Sequence, residues 1–185
     1  MIHLHVRSSY TLLKSTIKIN NLVERAKQMN MKAIALTDKN VMHGAMSFYN
    51  ACKQNDIKPI FGIECDCFIE NDNFSFVLLA KDDIGYQNCL KLSTFLSTND
   101  ISLDLDTLKE YTNHCFVISS GDHSKLDSLV IDENEFEIAR YLTLFNQSFD
   151  DFVCGIVMND TGLLRIKNPI LKRIANANSI RTVAL

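Results

Sequence analysis

No apolar run in this 185-residue chain is longer than the five residues from Phe76 to Ala80. A membrane-spanning helix needs roughly 20, so a transmembrane helix is excluded and no membrane partner is expected. A basic run is missing too. Lys+Arg 19 against Asp+Glu 22 leaves a formal net charge of −3, so the chain by itself lacks the electrostatic footprint of a duplex-binding protein. The N-terminus, Met1-Ile2-His3-Leu4-His5, has neither the basic start nor the apolar core of a secretory signal, and a cytoplasmic location is expected. Only two prolines and six glycines occur, with no Ser/Gly linker or low-complexity tract, so residues 1–185 read as one domain. With 46% hydrophobic and 22% charged residues, disorder is excluded as a class. The chain stops at Val183-Ala184-Leu185, inside an apolar strand pattern, which is the expectation for a piece of a longer polypeptide.

Six cysteines are present. Cys52, Cys89, Cys115 and Cys154 sit among apolar neighbours, where cysteine behaves as a small buried hydrophobe, and reduced thiols are expected. Cys65 and Cys67 form a C-x-C, but they lie in an alternating strand pattern without a second pair nearby. One face of a buried sheet explains them better than zinc.

Strand-like and helix-like patterns alternate from end to end. Ile2 to Val6 reads as a strand, followed by Leu22, Val23, Ala26 and Met29 at helical spacing behind Asn20 or Asn21 as a cap. Ala33 to Leu36 is a second apolar run, followed by Ala45, Phe48, Tyr49 and Cys52 on a second helical stripe. Further strands are expected near Ile60 to Phe68, Phe74 to Leu79, Cys115 to Ser119, Phe152 to Val157 and Arg181 to Leu185. Helices are expected at Tyr86 to Leu96, Glu133 to Phe145 and Asn168 to Asn178, the last with Pro169 in its first turn. This alternation implies an α/β fold with a mostly parallel sheet. With at least six units and no dinucleotide glycine fingerprint, an irregular TIM-like (βα) barrel is expected, with its strands parallel.

In such a barrel the functional groups gather at the C-terminal strand ends. There the first strand delivers His3, His5 and Arg7 on one side, by the period-two alternation of strand side chains. The second ends in Thr37-Asp38-Lys39, and the third presents Glu64 and Asp66 on one face with Cys65 and Cys67 on the other. An H-x-H with an Asp and a Glu from other strands is the pattern of a metal-dependent hydrolase. The plainer alternative is a core histidine bonded to backbone.

The surrounding segments carry more information. His3-Leu4-His5-Val6-Arg7-Ser8-Ser9-Tyr10-Thr11-Leu12-Leu13, Ala33 to Asp38, Gly44-Ala45 with Phe48-Tyr49, Ile57 to Glu64, and Leu78-Leu79-Ala80-Lys81 with Gly85-Tyr86-Gln87-Asn88 form a connected set. They resemble the polymerase and histidinol phosphatase (PHP) domain at the N-terminus of bacterial DNA polymerase III alpha subunits, the C-family replicative polymerases. The resemblance is dense over residues 1 to 98, weaker over 99 to 150 and intermediate over 151 to 185, and it implies an irregular (βα)7-type barrel cut short at its C-terminal end.

Metal-binding members have histidines at the places of His3, His5 and Arg7, the last two being ligand positions. They have an Asp-Gly at Lys14-Ser15, a Thr-Asp-His at Thr37-Asp38-Lys39, a glutamate at Glu64 and a histidine at the place of Ser75. Here His5 and Glu64 are kept, while Arg7, Lys39 and Ser75 depart. A guanidinium or an ammonium has no lone pair to give a metal, so by resemblance the site is vestigial. Arg7, Lys14 and Lys39 are candidates to replace the lost metal charge, and the alternative for Lys14 and Lys39 is a solvated loop lysine. No catalytic residue and no cofactor are expected within residues 1–185.

The resemblance implies a structural scaffold within a DNA-directed DNA polymerase, a nucleotidyltransferase whose Mg2+ is held outside this region. The implied partners are the remaining polymerase domains of the same chain, with a proofreading exonuclease, other replisome subunits and DNA reached through the full-length protein. The competing reading is an active phosphoesterase or 3′→5′ exonuclease that uses Zn2+ or Mn2+ through His5 and Glu64. A stand-alone histidinol-phosphate phosphatase is a third reading, disfavoured by the polymerase-like segments after residue 60.

Overall fold

The continuous apolar run Ala33-Ile34-Ala35-Leu36 forms β1 (Ala33–Leu36), with all four side chains buried. It pairs in parallel with the long β2 (Lys58–Ile69). Then follow β3 (Asp72–Ala80), β4 (Cys115–Ser120), β5 (Phe152–Ile156) and β6 (Thr182–Ala184), and the six strands lie in chain order in one curled, half-barrel sheet. This computed structural model describes residues 2–99, 102–120, 124–157 and 162–185.

The expectation of a mostly parallel sheet holds except at the strand expected near Phe74 to Leu79, which is corrected. β3 runs antiparallel to both β2 and β4, while β4, β5 and β6 are parallel to one another. The cause is the link between β2 and β3, which consists of Glu70 and Asn71 alone, at φ 53° and 69°. Two residues in the left-handed region make a tight hairpin, whereas a parallel return needs a crossover of a dozen residues or more. The turn contains no glycine, so the usual hairpin signature is absent from the sequence.

The expected strand at residues 2–6 is also corrected. This segment runs beside β1, with Ala35 N–H donating to the His3 carbonyl at 2.9 Å and Thr37 N–H to that of Val6 at 2.8 Å. The next ladder position is taken by a side chain, because the Thr37 hydroxyl accepts from the Val6 amide at 3.0 Å. The segment is therefore tied to the sheet edge without being a strand of it.

Seven helices are described: α1 (Ile19–Gln28), α2 (Ala45–Gln54), α3 (Asp83–Thr98), α4 (Leu105–Lys109), α5 (Lys125–Ile131), α6 (Glu135–Ser148) and α7 (Gly162–Ala177). Neither Asn20 nor Asn21 caps α1, which begins two or three residues earlier, behind Lys18, with Ile19 buried in the core. Pro169 lies inside α7 rather than in its first turn. Burial of Leu171, Ile174 and Ala175 on that helix outweighs the one backbone hydrogen bond that an interior proline removes. Asp82 caps α3 by accepting from the amides of Ile84 and Gly85, both at 3.0 Å.

Strand alternation divides the sheet into two faces. Ile63, Cys65 and Cys67 of β2, Phe74, Phe76 and Leu78 of β3, and Cys115 and Val117 of β4 pack under the helices. Phe74, Phe76, Tyr141, Phe145, Phe149 and Phe152 form a continuous ring cluster there, with centroids 4.6 to 6.4 Å apart. Cys65 and Cys67 thus belong to a buried sheet face. The concave face carries Ala35, Val77, Leu79, Ile118 and Val153, and Glu64, Asp66 and Ser75 follow the same alternation toward the C-terminal end of β2.

Candidate functional site

Glu64 is 1% exposed and gathers the polar groups of the concave face around it. Its position follows from two neighbours of β1: Glu64 N–H donates to the Asp38 carbonyl at 3.1 Å, and Asn40 N–H to the Glu64 carbonyl at 2.7 Å. Asn40 turns the chain at φ 63°, a conformation that asparagine tolerates better than most residues. Both carboxylate oxygens of Glu64 are engaged by Arg7, through Nε at 2.5 Å and Nη2 at 2.7 Å. His5 Nε2 reaches Oε2 at 2.9 Å, and the Ser75 hydroxyl lies 3.4 Å from Oε1.

Burial alone would raise the pKa of this carboxyl. The hydrogen bonds from His5 and Arg7, with their positive charge, overcome it and hold the pKa down to about 2. Glu64 is therefore ionised across the physiological range.

Lys39 serves a second carboxylate. Its Nζ is 2.6 Å from Asp66 and 3.9 Å from Glu64. Ser75, directly opposite Asp66 in the β2–β3 register, donates to Asp66 at 3.0 Å and so bridges the two acids. Arg7, Lys39, Glu64, Asp66 and Ser75 with His5 form one connected polar network.

Asp38 belongs to the same strand ends, but its carboxylate turns away from Glu64. It accepts from Ser8 N–H at 2.6 Å, from the Ser8 hydroxyl at 2.7 Å and from the Thr11 hydroxyl at 2.7 Å. The Thr11 hydroxyl in turn accepts from Lys39 N–H at 3.0 Å. These contacts fasten the segment after Arg7 to the end of β1. Thr11 lies outside the strand-end groups that the sequence presents, whereas period-two alternation places Asp66 beside Glu64. His3 is half-buried and contributes its carbonyl to β1. Lys14 is exposed in the turn after Thr11 and is not among the cations on Glu64.

The donor set does not fit a divalent metal. Where, by the resemblance, the metal-binding pattern has imidazoles, this chain places a guanidinium, an ammonium and a hydroxyl, and the first already occupies both oxygens of Glu64. Among the described residues, no group of three or more His, Cys, Asp or Glu side chains is arranged to hold a metal ion. A trough of about 990 Å³ lies at the opposite end of the strands, lined by Leu4, Ile60, Phe61, Phe116 and Val183 among others, and contains none of the network residues. None of the described helices is long and apolar enough to cross a membrane.

The chain is 36% identical over 151 residues to DNA polymerase III subunit alpha of Bacillus subtilis, covering 80% of this chain and 14% of that protein. It is 45% identical over 100 residues to the subunit of the same name from Halalkalibacterium halodurans, covering 54% of this chain and 9% of that protein. The chain thus spans about a tenth to a seventh of the length of these relatives. Among solved structures, an amidohydrolase from Chromobacterium violaceum superposes with a TM-score of 0.68 at 10% identity, over 98% of this chain and 84% of the other. A putative metal-dependent phosphoesterase from Bifidobacterium adolescentis does so with a TM-score of 0.65 at 10% identity, over 100% and 86%. These two establish the fold, a TIM-like barrel architecture of which the curled sheet is the corresponding part. The PHP domain family profile matches residues 3–156, and the chain belongs to the PHP domain family.

Proposed function

We propose that residues 1–185 act as the N-terminal PHP domain of a replicative DNA polymerase of the DNA polymerase III alpha type, and that its role is structural. The observation that carries this reading is the two-point grip of Arg7 on Glu64. A guanidinium supplies fixed positive charge and directional N–H donors, but it cannot activate water as a metal does. The network then closes the strand ends: Arg7 joins the N-terminal segment to β2, Asp38 fastens Ser8 and Thr11 to β1, and Lys39 joins β1 to β2 through Asp66.

In this reading the parent protein is a DNA-directed DNA polymerase, a nucleotidyltransferase acting in the cytoplasm, whose Mg2+ site lies elsewhere. The domain is a rigid scaffold for the remaining polymerase domains, and it offers a surface on which a proofreading exonuclease or another replisome subunit docks. Contact with DNA is made by the full-length protein. The relatives' names and the density of the match over the first half of the chain support this, as does the absence of a basic run.

The test is elemental analysis of the purified chain after gel filtration, paired with an assay for 3′→5′ exonuclease and phosphoesterase activity in added Mn2+. The expected result is no stoichiometric zinc, manganese or iron and no hydrolysis. One or more tightly held transition metals per chain, with hydrolysis lost on Glu64→Gln, would replace the scaffold by an active phosphoesterase.

A further inference from the structure

Helix α3 and the backbone just before β4 are pressed together more closely than any side chain at their contact would allow. A Cβ on Gly85 would stand 2.1 Å from the His114 carbonyl oxygen, so only glycine fits there. Around that point the two segments are clamped. Lys81 N–H donates to the His114 carbonyl at 3.0 Å, Asn88 Nδ2 donates to the Asn113 carbonyl at 2.8 Å, and His114 Nδ1 meets Asp82 at 2.6 Å. The Cys115 thiol donates to the Gly85 carbonyl at 3.6 Å. One helical turn beyond Gly85 stands Cys89, whose Sγ lies 4.0 Å from Sγ of Cys115.

Two thiols at that separation, on backbones already held at contact, need to approach by about 2 Å to reach a disulfide bond length. Side-chain rotation supplies movement of that size. The other cysteines are placed differently: Cys52 belongs to a separate core under α1 and α2, Cys65 and Cys67 are next-but-one neighbours on β2, and Cys154 lies on β5. We propose that Cys89 and Cys115 are an oxidation-responsive pair that closes an intramolecular disulfide when the folded protein meets a peroxide, linking α3 covalently to β4.

The two sulfurs have unequal roles. The Cys89 hydrogen bond favours the Cys115 thiolate against burial, and Lys81 adds to the effect, so this thiol is held below its ordinary range while that of Cys89 is pushed well above. Both residues are buried, Cys115 at 2% and Cys89 at 0% exposure, and Cys115 is flanked by half-buried His114 and exposed Phe116. Its sulfur attacks one peroxide oxygen, the O–O bond breaks, and the departing hydroxide takes a proton to become water, leaving Cys115 as a sulfenic acid. The Cys89 sulfur then displaces that hydroxyl, the S–S bond forms, and the Cys89 proton leaves with the hydroxyl as a second water. Two thiols lose two electrons and the peroxide gains them.

The experiment treats the whole folded chain with hydrogen peroxide, blocks remaining thiols with N-ethylmaleimide and maps the digest by mass spectrometry without reductant. The expected result is a peptide pair joined through Cys89 and Cys115, released by dithiothreitol, with Cys52 still alkylated. In Cys89→Ala, Cys115 is expected to be trapped by dimedone as the sulfenic acid. In Cys115→Ala, Cys89 is expected to stay reduced. Full alkylation of Cys89 and Cys115 after peroxide, or a Cys65–Cys89 link in place of the expected one, overturns the proposal. Mapping of the unsubstituted chain decides it even where a variant fails to fold.

Discussion

Arg7 and Glu64 meet across 57 positions of sequence with two parallel hydrogen bonds, Nε to Oε2 at 2.5 Å and Nη2 to Oε1 at 2.7 Å. This fork is the strongest form of the arginine–carboxylate pair, and Glu64 beneath it is almost wholly shielded from water. Arg7→Ala leaves that carboxylate without its main partner, and breaking a buried pair costs about 3–5 kcal/mol. The Arg7 side chain retains 19% exposure, so the expected loss is at the low end, about 3 kcal/mol, read from urea denaturation. Glu64→Gln combined with Arg7→Met should recover much of it. A loss of less than about 0.5 kcal/mol, the range of surface substitutions, would show the pair to be unimportant.

Acid provides an independent handle on the same pair. The folded pKa of Glu64 is lowered to about 2, against an ordinary value near 4.3. A carboxylate with a depressed folded pKa contributes stability that is full above the unfolded value and fades as pH falls through the folded one. Between about pH 4.3 and 2 the chain should lose stability, and Glu64→Gln should lose less over that window. Parallel pH profiles for the two proteins would contradict the assignment.

Metal uptake should follow donor chemistry. Arg7→His, Lys39→His and Ser75→His together replace two cations and a hydroxyl by imidazoles around Glu64 and His5. The triple variant is expected to take up Zn2+ toward one ion per chain, measured by dialysis and elemental analysis, while the unsubstituted chain takes up none. Equal uptake by both would mean that residue identity at these positions does not bar the metal.

Close packing at Gly85 predicts a sharp penalty. Gly85→Ala drives a methyl against backbone rather than against a flexible side-chain end, and overpacking of this kind costs about 1–3 kcal/mol. A denaturation midpoint unchanged from that of the parent would show that α3 shifts freely, which the clamp around His114 argues against.

Within the ring cluster, Phe145 touches Phe74, Phe76, Tyr141 and Phe152 and is fully buried. Phe145→Ala is expected to cost about 3–5 kcal/mol through the cavity it leaves. Phe136, 78% exposed on the same helix, should tolerate alanine within about 0.5 kcal/mol. Reversed magnitudes in thermal or chemical unfolding would show that α6 packs by its other face.

Much of this protein was legible in its residues. Apolar runs of strand length placed β1, β4 and β5 within a residue or two, because a buried strand must be apolar whatever its neighbours are. Alternation put Glu64 and Asp66 on one face of β2 and Cys65 and Cys67 on the other, since that period is a property of extended backbone. The residue types at Arg7 and Lys39 were enough to question a metal, because whether a group has a lone pair is chemistry and not geometry. Direction and partnership were decided in three dimensions. The reversal of β3 turns on two left-handed residues without a glycine, Glu70 and Asn71, that any local reading passes over. Helix α7 runs through Pro169 because distant burial outweighs a local rule. Asp38 stands beside Glu64 along the backbone, yet its carboxylate turns to Ser8 and Thr11, while Lys39 prefers Asp66. A carboxylate goes to whichever donors the fold brings within 3 Å, and the sequence positions of those donors, about 30 residues away for Asp38 and 57 for Glu64, carry no local trace of that meeting.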